Sequence, residues 1–127
     1  MSSKGLIRSM VAQGAIGNRR VVKFGTVDDS VALATATITD LQIGFTAPNL
    51  DVADGERVDV QLTGIGEGIA GGVIVRGADV CSDADGAVVA CSPGAGTAAR
   101  RIGIAQAAAV AGDYVEVLIA PGKVTTN

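Results

Sequence analysis

The 127-residue sequence has no histidine and no tryptophan, and its aromatic residues are two phenylalanines and one tyrosine. Without an imidazole, the commonest general base of enzymes and the commonest metal-binding side chain are both missing. So few aromatic rings also argue against a carbohydrate site, since such pockets are normally lined by aromatic side chains. The core must therefore be built from aliphatic side chains.

Positive charge is also scarce, with 10 Lys and Arg against 13 Asp and Glu and a formal net charge of −3. Nucleic-acid-binding proteins usually present a basic face to phosphates, so no nucleic-acid partner is expected. The basic pairs Arg19-Arg20 and Arg100-Arg101 fit either contacts with an acidic partner or solvated strand ends.

No uncharged apolar stretch reaches the roughly 18 residues that a membrane-spanning helix needs, so no membrane partner is expected. Residues 1–13 contain the charged Lys4 and Arg8 and lack the apolar region of a signal peptide. We therefore expect the protein to be made in the cytoplasm and to join any assembly there.

Cysteine is limited to Cys81 and Cys91, too few for a disulfide scaffold. They flank a predicted hairpin whose turn is residues 83–86 (DADG). A two-residue loop places Cys81 opposite Ala90, with the cysteines on opposite faces. A three-residue loop places Cys81 opposite Cys91 and permits a disulfide. Cytoplasmic synthesis favours free thiols.

Glycine is abundant, with 18 residues, and together with many Val, Ile and Thr it favours strands joined by tight turns. The clearest strand is Arg57–Thr63, in which Val58 and Val60 alternate with polar residues. A second strand, Tyr114–Ile119, is apolar on both faces apart from Glu116, which indicates a central position in a sheet or an interface.

Other aliphatic segments bounded by turn residues are predicted as strands at Arg19–Phe24, Val31–Thr39, Gln42–Thr46, Val73–Val75, Asp79–Ser82, Ala87–Cys91 and Arg100–Ala105. Residues 64–72 are predicted as a break between strands, and the Ala-rich segment 106–111 has the composition of a helical turn. About eight short strands at this spacing predict an all-β fold, a compact small β-barrel or β-sandwich.

Three regions are predicted along the chain: a flexible, extended N-terminal arm over residues 1–18, a single β domain over residues 19–122 and a C-terminal tail over residues 123–127. An arm of this kind can become ordered on a binding partner. Its candidate contact residues are Lys4, Leu6, Ile7, Arg8, Met10 and Val11.

Two short motifs resemble ligand sites but lack the context that those sites require. Residues 66–71 (GEGIAG) satisfy the dinucleotide pattern GxGxxG, yet no predicted helix follows to face a pyrophosphate, and a Gly-rich connection with positive φ explains them. Asp83 and Asp85 resemble the start of a calcium loop that has no further ligands. No nucleophile has a predicted base and too few metal ligands are present, so no catalytic residue, cofactor or metal is expected.

The order of glycine turns and valine strands over residues 64–122 carries a family resemblance. Residues 70–87 (AGGVIVRGADVCSDADGA) and 101–118 (RIGIAQAAAVAGDYVEVL) resemble two segments of the capsid cement, or head-decoration, proteins of tailed bacteriophages and prophages. Residues 19–25 (RRVVKFG) and 28–36 (DDSVALATA) match more loosely. Cys81, Cys91 and Gln106 depart from the usual family residues without breaking the strand pattern.

The resemblance implies a structural virion protein on the outer surface of an assembled capsid. Such a protein binds the major capsid protein of a tailed phage, bridges adjacent subunits and stabilises the shell, with no catalytic residues. The family often forms trimers, so a homotrimer is expected, with a dimer as second choice. The alternatives are a host- or carbohydrate-binding surface module of a phage particle and an enzyme with a carboxylate or Gly-loop site.

Overall fold

The aliphatic segments fold into ten β-strands in the computed structural model, which describes residues 5–37, 39–48, 51–92 and 96–125 and contains no helix in those ranges. The predicted all-β fold is confirmed. The strands are β1 (Ile7–Gln13), β2 (Val21–Phe24), β3 (Ser30–Leu33), β4 (Gln42–Thr46), β5 (Arg57–Gln61), β6 (Ile65–Ile69), β7 (Asp79–Ser82), β8 (Val88–Ala90), β9 (Ala98–Ala105) and β10 (Tyr114–Thr125).

The first five strands close into a small barrel in the order β1-β3-β2-β4-β5. Strand β1 runs parallel to β3 and antiparallel to β5, where Met10 lies opposite Val58. The predicted alternation in β5 is confirmed, because Val58 and Val60 are buried inside the barrel. Short aliphatic side chains suffice to fill so narrow a barrel. They are Met10, Ala12, Ile16, Val22, Val31, Val52, Val58 and Val60.

The other five strands form an open sheet in the order β6-β10-β9-β7-β8, which packs on the outer wall of the barrel. Strand β10 lies between β6 and β9, as its apolar sequence predicted. A second core fills the space between the layers. Val21 and Val22, which are adjacent in β2, belong to different cores because successive side chains of a strand point to opposite faces.

Residues 7–13, predicted as part of a flexible arm, instead form β1 and complete the barrel. The physical reason is that β1 fills the place between β3 and β5, with Met10 and Ala12 buried in the lumen. The predicted tail also differs, since Lys123–Thr125 extend β10 and Lys123 pairs with Arg100. Residues 1–4, 126 and 127 lie outside the described residues.

The predicted break over residues 64–72 contains β6. Gly66 and Gly68 face the ring of Phe45, and a Cβ atom on Gly68 would lie 2.7 Å from Phe45 Cε1. Neither glycine has a positive φ, so the earlier explanation of this motif was wrong for these two positions. Glycine is required here because the aromatic ring occupies the space of a side chain.

Three further predictions differ from the structure. Residues 73–75 form no strand, and only Ile74 makes a β-bridge, to Ala109. Residues 106–111 form no helical turn. The last strand does not end at Ile119 as predicted, because a bulge between Ile119 and Gly122 accommodates Pro121, which cannot donate a backbone hydrogen bond.

Cys81 and Cys91 form a disulfide, with their Cα atoms 5.2 Å apart, so the expectation of free thiols was wrong. The register is neither of the two considered. Cys81 lies opposite Val89, and residues 83–87 form the loop between β7 and β8. Cys91 lies two residues beyond Val89 and therefore projects on the same side as Cys81, which makes the bridge a diagonal cross-strand contact.

Candidate interaction surfaces

One end of the barrel, here called the barrel mouth, gathers four exposed apolar side chains: Leu6, Phe24, Val27 and Leu41. Their exposed fractions lie between 46% and 63%. Strand direction brings them together, because β1 and β3 begin at this end while β2 and β5 finish there. The amide of Phe24 donates to the carbonyl of Leu41, and the amide of Leu62 donates to that of Leu6.

Charged residues border the barrel mouth. Asp29 accepts from Arg57 Nη1 at 2.9 Å and from Arg8 Nη2 at 3.4 Å. A cleft of about 560 Å³ lies beside them and is lined by Phe24 and Val27 as well as by Arg8 and Asp29. Exposed ion pairs of this kind add little stability. Their effect is to hold two cations and one anion around an apolar patch.

The predicted arm residues are distributed over different environments. Leu6 and Arg8 lie at the barrel mouth, and Ile7 is exposed on the outer wall of the barrel. Val11 is half-buried and Met10 is only 4% exposed, so Met10 contributes mainly to the barrel core. Lys4 lies outside the described residues. The contact role of the exposed members stays a prediction.

A groove of about 260 Å³, here called the acidic groove, lies between the barrel wall and the second sheet. Its walls are largely apolar, and its rim carries three carboxylates. The apolar lining is Ile7, Ala47, Pro48 and Ile65, and the carboxylates are Asp59, Glu67 and Glu116.

Glu67 and Glu116 lie directly opposite each other on β6 and β10. Like charges in this cross-strand position repel each other. Arg19, which is 7% exposed, reduces that repulsion by donating from Nε to Glu67, and its guanidinium stacks on the ring of Tyr114. In the described ranges, Glu116 and Asp59 make no ion pair. The groove therefore keeps unneutralised negative charge.

An apolar projection, here called the valine knob, consists of Val73, Val75, Arg76 and Val110. All four residues are exposed. The buried Ile74 anchors the projection through two backbone hydrogen bonds with Ala109, at 2.8 and 3.0 Å. The knob is thus an exposed apolar surface on a firmly held backbone.

One buried carboxylate has a structural role. Asp40 is 8% exposed and accepts hydrogen bonds from the hydroxyl and amide of Thr35 and from Lys23 Nζ. Burial raises the pKa of Asp40, but the hydrogen bonds from Thr35 and the charge of Lys23 outweigh it and hold this pKa below its ordinary value. This network closes the connection between β3 and β4.

The two motifs that resemble ligand sites in the sequence form a strand and a hairpin loop in the structure. Residues 66–69 of the GxGxxG segment lie within β6, so they form no phosphate-binding turn. Asp83 Oδ1 accepts hydrogen bonds from the backbone amides of Asp85 and Ala87, and these bonds stabilise the loop between β7 and β8. Throughout the part of the chain that the structure describes, no three His, Cys, Asp or Glu side chains converge as metal ligands. No helix there is long and apolar enough to cross a membrane.

Sequence reasoning missed Phe24, Val27 and Leu41 as surface residues, and it missed the burial of Arg19. The available signal was local: each of the three apolar residues lies beside a turn, where a strand stops being covered by its neighbours. For Arg19 the sequence offered solvation or a partner contact, and the structure instead pairs it within the chain.

These features define a small two-layer β module whose exposed apolar and charged surfaces suit contacts with other proteins. The sequence matches the model of the phage cement proteins over residues 2–121, and the chain belongs to this family of structural phage proteins. The resemblance found in the sequence is thereby confirmed, and the protein is a structural, capsid-associated phage protein.

The fold is similar to a solved structure, the head fiber gp8.5 N base of bacteriophage phi29, with a TM-score of 0.67 and 21% sequence identity. The match covers 94% of this chain and 97% of that chain. At this identity the likeness concerns the fold alone. A comparison with curated proteins finds no match.

Proposed function

We propose that this protein binds the outer surface of an assembled capsid, bridges adjacent major capsid subunits and stabilises the shell. The observation that carries the proposal is the barrel mouth, where Leu6, Phe24, Val27 and Leu41 are exposed together on one end of a closed barrel. Membership of the phage cement family identifies the partner class as the capsid.

The barrel mouth has the anatomy of a protein interface. Fully burying a large apolar side chain gains about 1.5–3 kcal/mol, and a few such residues at the centre of a contact commonly supply most of its affinity. Arg8, Arg57 and Asp29 form a polar border that would fix the orientation of the coat subunit. Of the predicted arm residues, Leu6 and Arg8 lie at the barrel mouth and would contribute to this contact, whereas Ile7 lies on the outer wall of the barrel.

The protein would act without catalysis, as a member of the virion assembled in the host cytoplasm. A homo-oligomer, either a trimer or a dimer, would engage several coat subunits together. Linked weak contacts raise the overall affinity far above that of each one. Reinforcement of the shell would follow from the many copies bound to it.

The test is co-sedimentation of purified protein with capsids that lack it. We expect the double variant Phe24→Ser and Leu41→Ser to lower capsid affinity at least tenfold, because it removes the centre of the apolar contact. The matched control is Leu118→Ser, which changes a residue of similar exposure on the second sheet. Equal binding by the double variant and the control would exclude the barrel mouth, and no binding by the unmodified protein would exclude the proposed function.

A further inference from the structure

We propose that the valine knob of one copy of this chain inserts into the acidic groove of a second copy. The inference rests on the homo-oligomer of the proposed function and assigns the surfaces that form it. It does not depend on which surface contacts the capsid.

The acidic groove has the size and chemistry of a site for protein side chains. Its volume of about 260 Å³ lies below the roughly 300–1,000 Å³ of typical small-molecule pockets. Apolar walls favour an apolar occupant, and the carboxylates of Asp59 and Glu116 lack a cation in the described structure. The fitting occupant is therefore an apolar segment that carries one positive charge.

The valine knob supplies that combination. Val73 and Val75 are 74% and 67% exposed, the highest fractions among the exposed large hydrophobic residues of the described chain. Arg76 follows them directly, is exposed, and makes no ion pair or side-chain hydrogen bond with a described residue. Since Ile74 is fixed by Ala109, the knob would lose little conformational entropy on insertion.

The groove and the knob lie at different points along β6 and the turn that follows it. Ile65 at the start and Glu67 at the middle of the strand line the groove, whereas the knob follows the end of the strand at Ile69. Strand β6 is held in the sheet by β10 and Ile74 is held by Ala109, so the knob cannot move into the groove of its own copy. The contact must therefore form between copies, as a reciprocal dimer or a closed ring. The apolar residues of the barrel mouth belong to neither feature.

The experiment is size-exclusion chromatography with light scattering on the whole chain. We expect the unmodified protein to be an oligomer, and Arg76→Glu and Glu116→Arg each to raise the dissociation constant at least tenfold and yield monomers at the same concentration. The double variant Arg76→Glu with Glu116→Arg restores a salt bridge across the contact and should restore the oligomer. The control Lys123→Glu, at an exposed cation outside both features, should remain oligomeric.

A monomeric unmodified protein, single variants that stay oligomeric, or a double variant that stays monomeric would each overturn the inference. Circular dichroism confirms the fold of every variant. If Glu116→Arg does not fold, Val75→Ser carries the test, since Val75 lies outside both cores, and an oligomeric Val75→Ser protein would overturn the inference. A monomeric protein that still binds capsids would refute the knob contact alone, and an oligomer that does not bind capsids would refute the proposed function alone.

Discussion

The guanidinium of Arg19 lies over the ring of Tyr114, with its Cζ atom 4.1 Å from the ring centroid. Arg19 precedes the barrel strand β2, whereas Tyr114 begins β10, an interior strand of the second sheet. The same arginine donates to Glu67 on the neighbouring strand. A single side chain thus joins the two layers by stacking and by charge.

Replacing Arg19 should weaken this junction. We expect Arg19→Ala to lower the free energy of unfolding by about 2–4 kcal/mol, because the stacking and the partly buried ion pair are both lost and Glu67 is left opposite Glu116. Arg19 has a φ of 54°, a region that glycine adopts without cost. The loss in free energy of unfolding should therefore be about 1 kcal/mol smaller for Arg19→Gly than for Arg19→Ala. Urea denaturation measures both, and equal losses would contradict the backbone part of the argument.

Gly68→Ala should destabilise the protein by about 1–3 kcal/mol, the usual cost of overpacking a core. The added methyl would lie 2.7 Å from both Phe45 Cε1 and Val88 Cγ2. The control is Gly72→Ala, because a Cβ there meets nothing within 4 Å and the φ is not positive. Thermal unfolding should show a lower Tm for the first variant only. Similar Tm values for the two variants would show that the ring can move aside.

The disulfide should stabilise the β7–β8 hairpin at the edge of the second sheet. The cysteines are 10 residues apart in sequence, and closing a loop of that length is worth about 3 kcal/mol by the chain-entropy argument. We expect the double variant Cys81→Ser and Cys91→Ser to unfold at a correspondingly lower urea concentration. Reduction should lower the midpoint of the unmodified protein and leave that of the variant unchanged. A midpoint insensitive to reductant would argue against the bridge.

Stability should fall in acid partly because of Asp40. The pKa of Asp40 is lower in the folded protein than the ordinary value near 3.9. At pH values between the folded and the unfolded pKa, the unfolded chain therefore binds more protons than the folded protein. The stabilisation is present above about pH 5 and is lost as the pH falls through the folded pKa. Asp40→Asn should therefore be less stable at pH 7 and lose less stability between pH 5 and pH 3.

Tm measured at several pH values tests this prediction. The control is Asp28→Asn, at an exposed carboxylate with no hydrogen bond in the described structure. It should follow the unmodified protein at every pH. If the Tm of Asp40→Asn falls in acid as much as the Tm of the control, other carboxylates determine the loss of stability at low pH.

The sequence predicted the parts of the fold that depend on local pattern. Strands β4 and β7 appear with the predicted bounds, and Val58 and Val60 are buried as their alternation required. The family could also be recognised from the sequence, because the resemblance depends on the order of short motifs along the chain. Alternation and turn chemistry are properties of neighbouring residues, so they can be recognised without knowledge of distant contacts.

Strands β1 and β6 could not be predicted in this way. The polar, Gly-containing sequence around β1 becomes a strand because β3 and β5 offer it unpaired backbone groups. The glycines of β6 resemble a loop until the ring of Phe45 is placed against them. In both cases the decisive partner lies far away in sequence, and tertiary contacts override local preference.

The sequence by itself therefore determined the all-β class, the aliphatic character of the core and the family. Only the tertiary structure decided which surfaces are available to a partner. Leu6, Phe24 and Leu41 belong to three separate segments, and they meet because strand directions in a closed barrel bring those segments to one end. The physical reason is that exposure depends on what the rest of the chain covers, a property that no local stretch of residues contains.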